Sequence, residues 1–122
     1  MADRPKMRVL VVEDEVLVGM LLEDMLCDLD YEVAVISTNL VDALEQAASA
    51  DFDLAVLDVN LNGQQSFPVA DVIRRRGLPF LFATGYGTSV LVSPHAGVPV
   101  VQKPFGREEL RRALAKLTAG FA

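Results

Sequence analysis

The sequence predicts an α/β fold, a doubly wound parallel sheet of five strands with helices on both faces. Two observations carry this prediction. Short unbroken apolar runs recur along the chain, among them Leu54-Ala-Val-Leu57, which runs straight into Asp58 and a polar, turn-forming segment. Runs of that length bounded by turn residues suit strands buried on both faces of a parallel sheet. Between them lie stretches whose apolar residues return at helical spacing, and strands alternating with helices imply right-handed crossovers that cover the sheet on both sides. A chain of 122 residues is long enough for one such domain. It reads as a single domain over residues 1–122, with an ordered core from about 7 to about 119.

The first strand is Arg8-Val-Leu-Val-Val12, followed at once by Glu13-Asp14-Glu15. Val18, Leu21, Leu22, Met25 and Leu29 then recur at helical spacing, with Glu23, Asp24 and Asp28 pointing elsewhere. Cys27 on this helix has no cationic neighbour and reads as an inert, partly buried packing residue. Residues 32–36 form the second strand, and Ser37-Thr38-Asn39 offers caps for a helix from about residue 40 to about residue 50. The third strand ends at Asp58. After Gly63 a loop reaches Pro68, well placed in the first turn of a short helix bearing Val69, Val72 and Ile73. Arg74, Arg75 and Arg76 crowd its C-terminal end, favourable against the helix dipole; they read as a solvated helix end, and Gly77 stops it. Residues 79–84 are the fourth strand and residues 99–102 the fifth. Gly106 opens a final helix with Leu110, Leu114, Leu117 and Phe121 as its core stripe.

Between the fourth and fifth strands the chain resists a regular crossover helix. Gly85, Gly87 and Gly97 raise the backbone entropy cost, Pro94 blocks continuation, and Val90 and Val92 are β-branched. At most residues 88–93 are helical, so the fourth helix is expected to be shortened or mobile.

The charge balance excludes some partners. Seventeen acids against 11 bases give a net charge of −6, with no long basic stripe, so nucleic acid is not expected as a direct partner. One cysteine rules out an internal disulfide framework and fits a reducing cytoplasm. The polar start is unlike a signal peptide, and no apolar run approaches membrane-spanning length, so a soluble cytoplasmic domain without membrane contact is expected.

A flavodoxin-like strand order, 2-1-3-4-5, makes the first and third strands neighbours at the switch point and sets Glu13 and Asp14 beside Asp58. Unit charges ~4 Å apart repel by roughly 4 kcal/mol at an effective dielectric near 20, so three converging carboxylates need a counterion or a raised pKa. Oxygen-only ligands suit Mg²⁺. Lys103 follows the fifth strand and Thr84 ends the fourth, adding a fixed positive charge and a hydroxyl at the same edge. An aspartate, a cation, a lysine and a hydroxyl are what a site needs to form and hold an aspartyl phosphate.

Taken in order at strand ends, Val-Val-Glu-Asp-Glu, Leu-Asp-Val-Asn, Ala-Thr-Gly and Gln-Lys-Pro-Phe make the chain resemble a response-regulator receiver domain from Arg8 to Leu117. The resemblance implies that Asp58 is the phosphoacceptor, taking a phosphoryl group from the phosphohistidine of a sensor histidine kinase in a two-component system or phosphorelay. It implies that Glu13 and Asp14 hold Mg²⁺ together with Asp58 and the backbone carbonyl of Asn60, and that Thr84 and Lys103 bind the phosphoryl oxygens. Such a domain is not an enzyme beyond its own phosphorylation and dephosphorylation, and it signals through protein contacts. Pro-Phe-Leu-Phe-Ala-Thr-Gly-Tyr86 further resembles an atypical subgroup named for its Phe-Ala-Thr-Gly-Tyr pattern and associated with kinases of the HWE type. Tyr86, two residues past Thr84, is a candidate modulator at the mouth of the pocket. Val100 stands where receivers usually carry an aromatic ring, three residues before the lysine, and Glu13 where aspartate is commoner.

Rival classes fit less well. A haloacid-dehalogenase-like hydrolase needs a second acid two residues after its nucleophile, and Asn60 stands there. A flavodoxin-like cofactor binder needs a phosphate-cradling loop after the first strand, where Glu13-Asp14-Glu15 would repel phosphate. The alternative is a receiver-like interaction module that is never phosphorylated.

Overall fold

The computed structural model describes residues 6–85 and 98–119. In chain order these residues form β1 (Arg8–Val12), α1 (Val16–Asp28), β2 (Glu32–Ser37), α2 (Leu40–Ser49), β3 (Leu54–Asp58), β4 (Asn60–Leu61), β5 (Gln64–Gln65), α3 (Phe67–Arg75), β6 (Phe80–Thr84), β7 (Val100–Gln102) and α4 (Arg107–Thr118). The main sheet is parallel throughout, in the order β2-β1-β3-β6-β7. This is the expected 2-1-3-4-5 order once the antiparallel hairpin β4-β5 is set apart. The hairpin occupies part of the stretch that the sequence presents as a loop.

Strand alternation divides the core between the two faces. Val9 and Val11 of β1 join Leu22 and Leu26 of α1 and Leu110 and Leu114 of α4. Leu10 and Val12 join Ala43 and Ala47 of α2 and Val69 and Ile73 of α3. Every residue of β3 is buried, as a central parallel strand requires. Each such fully buried aliphatic side chain contributes about 1.5–3 kcal/mol. Asn39 caps α2 as expected, its Oδ1 accepting from the Asp42 N–H at 2.8 Å.

Three readings are corrected. Leu21 does not belong to the buried stripe of α1, which consists of Gly19, Leu22 and Leu26. The first half of α1 is apolar around nearly its whole circumference, so periodicity alone cannot choose its inner face. Cys27 is exposed rather than partly buried, because it lies one step beyond Leu26 on the turn. Arg76 is not merely a solvated helix end. Its guanidinium donates to the carbonyls of Ala47 (2.7 Å) and Ala50 (3.0 Å) and stacks 4.9 Å from the Phe52 ring centroid, fastening the end of α3 to the end of α2.

The expected short fourth helix at residues 88–93, together with Tyr86 and Phe121, lies outside the described residues. No helix among the described residues is long and apolar enough to cross a membrane.

Candidate functional site

The register of the parallel sheet assembles the site. Val12 pairs with Leu57, so Glu13 follows β1 beside Asp58, the last residue of β3. Asp58 pairs with Ala83, and Thr84 closes β6 one residue later. Thr84 pairs with Gln102, and its carbonyl accepts from the Lys103 N–H at 2.8 Å. Glu13, Asp14, Asp58, Thr84 and Lys103 thus meet at the carboxyl edge of the sheet, where open α/β folds bind their ligands.

Within this edge, carboxylate oxygens of Glu13, Asp14 and Asp58 lie within 4.8 Å of one another. Lys103 Nζ donates to Glu13 Oε1 at 2.7 Å and to Asp58 Oδ2 at 3.2 Å. The Glu15 N–H donates to Glu13 Oε2 at 3.1 Å, and the Asn60 N–H to Asp58 Oδ1 at 3.3 Å. Glu13, Asp58 and Thr84 are buried.

Burial and crowding show in the ionisation of these groups. Burial pushes Glu13 up to about 7, with Lys103 and the Glu15 N–H opposing and the charge of Asp58 adding to the rise. Burial also raises Asp58, against the opposing Lys103 ammonium and Asn60 N–H, while Asp14 adds to the rise. For Asp14 burial is outweighed, first by the Asn62 N–H, and its carboxyl sits below the usual range. Lys103 goes up: burial disfavours its charge, but the Glu13 and Asp58 carboxylates hold the proton more strongly.

The donor set fits a hard divalent cation. It is all oxygen and clustered, and the one lysine hydrogen-bonded to it reaches Glu13 and Asp58. Among the described residues this is the one cluster of three potential ligands drawn from histidine, cysteine, aspartate and glutamate.

Two features of the surroundings are not visible in the site motifs. Hairpin β4-β5 reaches across to the acidic cluster, the Asn62 N–H donating to Asp14 Oδ2 at 3.0 Å. The Asn60 side chain serves that hairpin, its Oδ1 accepting from the Gly63 N–H at 2.9 Å. The second feature is an apolar rim. Val16, Leu17, Met20 and Leu21 of α1 are exposed, and Val18, Leu22 and Met25 line a groove of about 360 Å³ with Lys103, Pro104 and Phe105. Apolar residues beyond the inward stripe at the start of α1, Val16, Leu17 and Met20, are a sequence signal for this rim, whereas helical spacing points Leu21 inward.

Comparison with known proteins agrees with this geometry. The family model for the response regulator receiver domain matches residues 9–115. The sensory transduction protein LytR of Staphylococcus haemolyticus is 29% identical over 115 residues, covering 91% of this chain and 45% of that protein. The chain therefore spans about half the length of this curated relative. The solution structure of SdrG from Sphingomonas melonis Fr1 is 40% identical, with a TM-score of 0.81 over 92% of this chain and 96% of that one. The solution structure of the BeF₃-activated conformation of SdrG from Pseudomonas melonis Fr1 is also 40% identical, with a TM-score of 0.77 over 90% of this chain and 94% of that one. The receiver domain of the PhyR response regulator from Erythrobacter litoralis is 26% identical, with a TM-score of 0.82 over 93% of this chain and 91% of that one. A match over residues 9–115, on a sheet whose edge gathers three acids, a threonine and a lysine, makes this chain a member of the response regulator receiver domain family.

Proposed function

We propose that this receiver domain is a working phosphoacceptor, with Asp58 taking the phosphoryl group of a kinase phosphohistidine in a Mg²⁺-dependent reaction. The observation that carries the reading is the convergence of three carboxylate oxygens within 4.8 Å on an edge that also presents Lys103. Such a cluster is costly to keep charged without a counterion. Glu13, Asp14, Asp58 and the backbone carbonyl of Asn60 are the groups that would hold Mg²⁺. When bound, the ion neutralises negative charge on the transferring phosphoryl group.

An oxygen of Asp58 attacks phosphorus as the bond from phosphorus to the imidazole nitrogen breaks. The electron pair stays on that nitrogen, which takes up a proton from solvent, and the carboxylate becomes an acyl phosphate. Lys103 offers its ammonium and Thr84 its hydroxyl to the phosphoryl oxygens. Asn60, two residues after Asp58, is not an acid, so the site has no second carboxyl there to speed turnover. The chain in this reading acts only on its own aspartate and passes the signal on by protein contact in the cytoplasm.

The Phe-Ala-Thr-Gly-Tyr pattern at residues 82–86 supports a kinase of the HWE type as donor. The apolar rim on α1 beside Lys103 supports a helical donor surface that covers it.

Incubation with Mg²⁺ and acetyl phosphate tests the core of this reading. The expected product is a base-labile phosphoryl adduct, absent in Asp58→Asn and absent in excess chelator. A label that survives either change overturns the mechanism, and no label at all leaves the chain as an interaction module.

A further inference from the structure

We propose that hairpin β4-β5 is a clamp on the acidic cluster, in which the Asn62-Gly63 turn positions Asp14 for the cation. The inference rests on the Mg²⁺ reading above and assigns a task to residues that the site motifs leave unused.

Asn-Gly between paired strands favours a two-residue turn with both central residues at positive φ. Asn62 has φ 52° and Gly63 φ 84°, while Asn60 pairs with Gln65 and Leu61 with Gln64. The hairpin is anchored from below and from within. Leu61 is buried in the core cluster that holds Val59 and Ile73. The Ser66 N–H donates to the Val59 carbonyl at 2.8 Å, closing the base of the hairpin. Asn60 Oδ1 accepts from the Gly63 N–H, tying the turn to its own first strand.

From this anchored turn, the Asn62 N–H reaches across 48 positions of sequence to Asp14 Oδ2. A backbone N–H neither titrates nor rotates away, so it is a fixed donor from outside the acidic cluster. Asp14 lies in the short link between β1 and α1, where Glu15 makes no side-chain cap to the helix. The clamp holds Oδ2, and with it the orientation of the whole carboxylate. The same few residues also reach Asp58, through the Asn60 N–H on its Oδ1. One rigid turn thereby sets the spacing between Asp14 and Asp58. Toward Asp14 it acts as a positioning element, through a backbone donor alone.

Gly63 allows a clean test, because a Cβ there meets nothing within 4 Å and a side chain acts only through φ. Asparagine visits the left-handed region, whereas a β-branched residue strongly resists it. Mg²⁺ titrations of the full chain, followed by amide NMR, compare Gly63→Val with Gly63→Asn. Gly63→Val is expected to bind Mg²⁺ about tenfold more weakly, the scale of a lost partner to a metal ligand. Gly63→Asn is expected to stay within about twofold of the parent protein. The Asn62 amide proton should report the carboxylate in the parent and in Gly63→Asn, and water in Gly63→Val. If Gly63→Val does not fold, Asn60→Ala, which removes the side-chain bond to the turn, takes its place with the same expected loss. A folded Gly63→Val or Asn60→Ala with parental affinity overturns the clamp, as does a Gly63→Asn as weak as Gly63→Val. A parent protein that binds no Mg²⁺ overturns the functional reading and the clamp with it, and that result precedes any variant.

Discussion

Lys103 places its ammonium nitrogen 2.7 Å from Glu13 Oε1, closer than the 3.2 Å that separates it from Asp58 Oδ2. The lysine assigned to the phosphoryl oxygens is thus held most tightly by an acid assigned to the cation. Charge at one end of this pair therefore bears on binding at the other.

Removing the lysine should favour the cation. An ammonium ~4 Å from a divalent cation costs about 2 kcal/mol even in bulk water, so Lys103→Ala is expected to gain up to about thirtyfold in Mg²⁺ affinity. Calorimetry at about pH 9 is the measurement, because losing Lys103, which holds the Glu13 carboxyl down, moves its titration further up. The same variant should lose the phosphoryl-dependent shifts in its amide spectrum, since Asp58 phosphate lacks its ammonium partner. A tenfold fall in Mg²⁺ affinity would contradict the assignment of Lys103 to the phosphoryl group.

Glu13 predicts an unusual pH profile. Burial takes its carboxyl from 4.5 to about 7, with Lys103 and the Glu15 N–H opposing and Asp58 assisting. Between those two values the folded chain keeps a proton that the unfolded chain has released. Its contribution to stability is therefore present at the acid end of the window and is lost as pH rises through about 7. Asp58, raised for the same reason, acts in the same direction, while Asp14, lowered, acts oppositely at more acid pH. In chelator, the melting temperature should fall between about pH 5 and about pH 8, and Glu13→Gln should flatten the slope. Mg²⁺ should stabilise more as pH rises, because it replaces the departing proton. Parallel slopes for the parent and Glu13→Gln would count against a titrating Glu13.

Much of this was legible because the chemistry lies at strand ends. Asp58, Thr84 and Lys103 each follow a short apolar run, and a parallel sheet can only deliver such residues to one edge. The hairpin was harder to see, although Asn62-Gly63 is a strong turn signal. Its strands are two residues each, too short for alternation to register. Arg76 was misread because its acceptors, the Ala47 and Ala50 carbonyls, lie 29 and 26 positions away and belong to a neighbouring helix end. The pairing of Lys103 with Glu13 depends on register across four strands, which no local pattern encodes.

The inner face of α1 is hidden from periodicity too, because apolar residues surround its first half. Leu17 is 75% exposed and Leu21 61%, although both are apolar and both stand on a helix that packs against the sheet. α1 starts two residues after Asp14, and its groove is lined by Lys103, so the rim borders the site that a phosphohistidine enters in the proposed reaction. An apolar rim beside a reactive edge gains from being covered by the protein that brings the phosphoryl group. Leu17→Ser and Leu21→Ser remove exposed surface and should change stability by no more than about 0.5 kcal/mol. For transfer from a phosphorylated HWE-type kinase, each is expected to raise KM about tenfold, the scale of an interface anchor of roughly 1–2 kcal/mol. Phosphorylation by acetyl phosphate needs no docking helix, so its rate should not change. Equal losses with both donors would point to damage at Asp58, and parental kinetics with the kinase would move the docking surface away from α1.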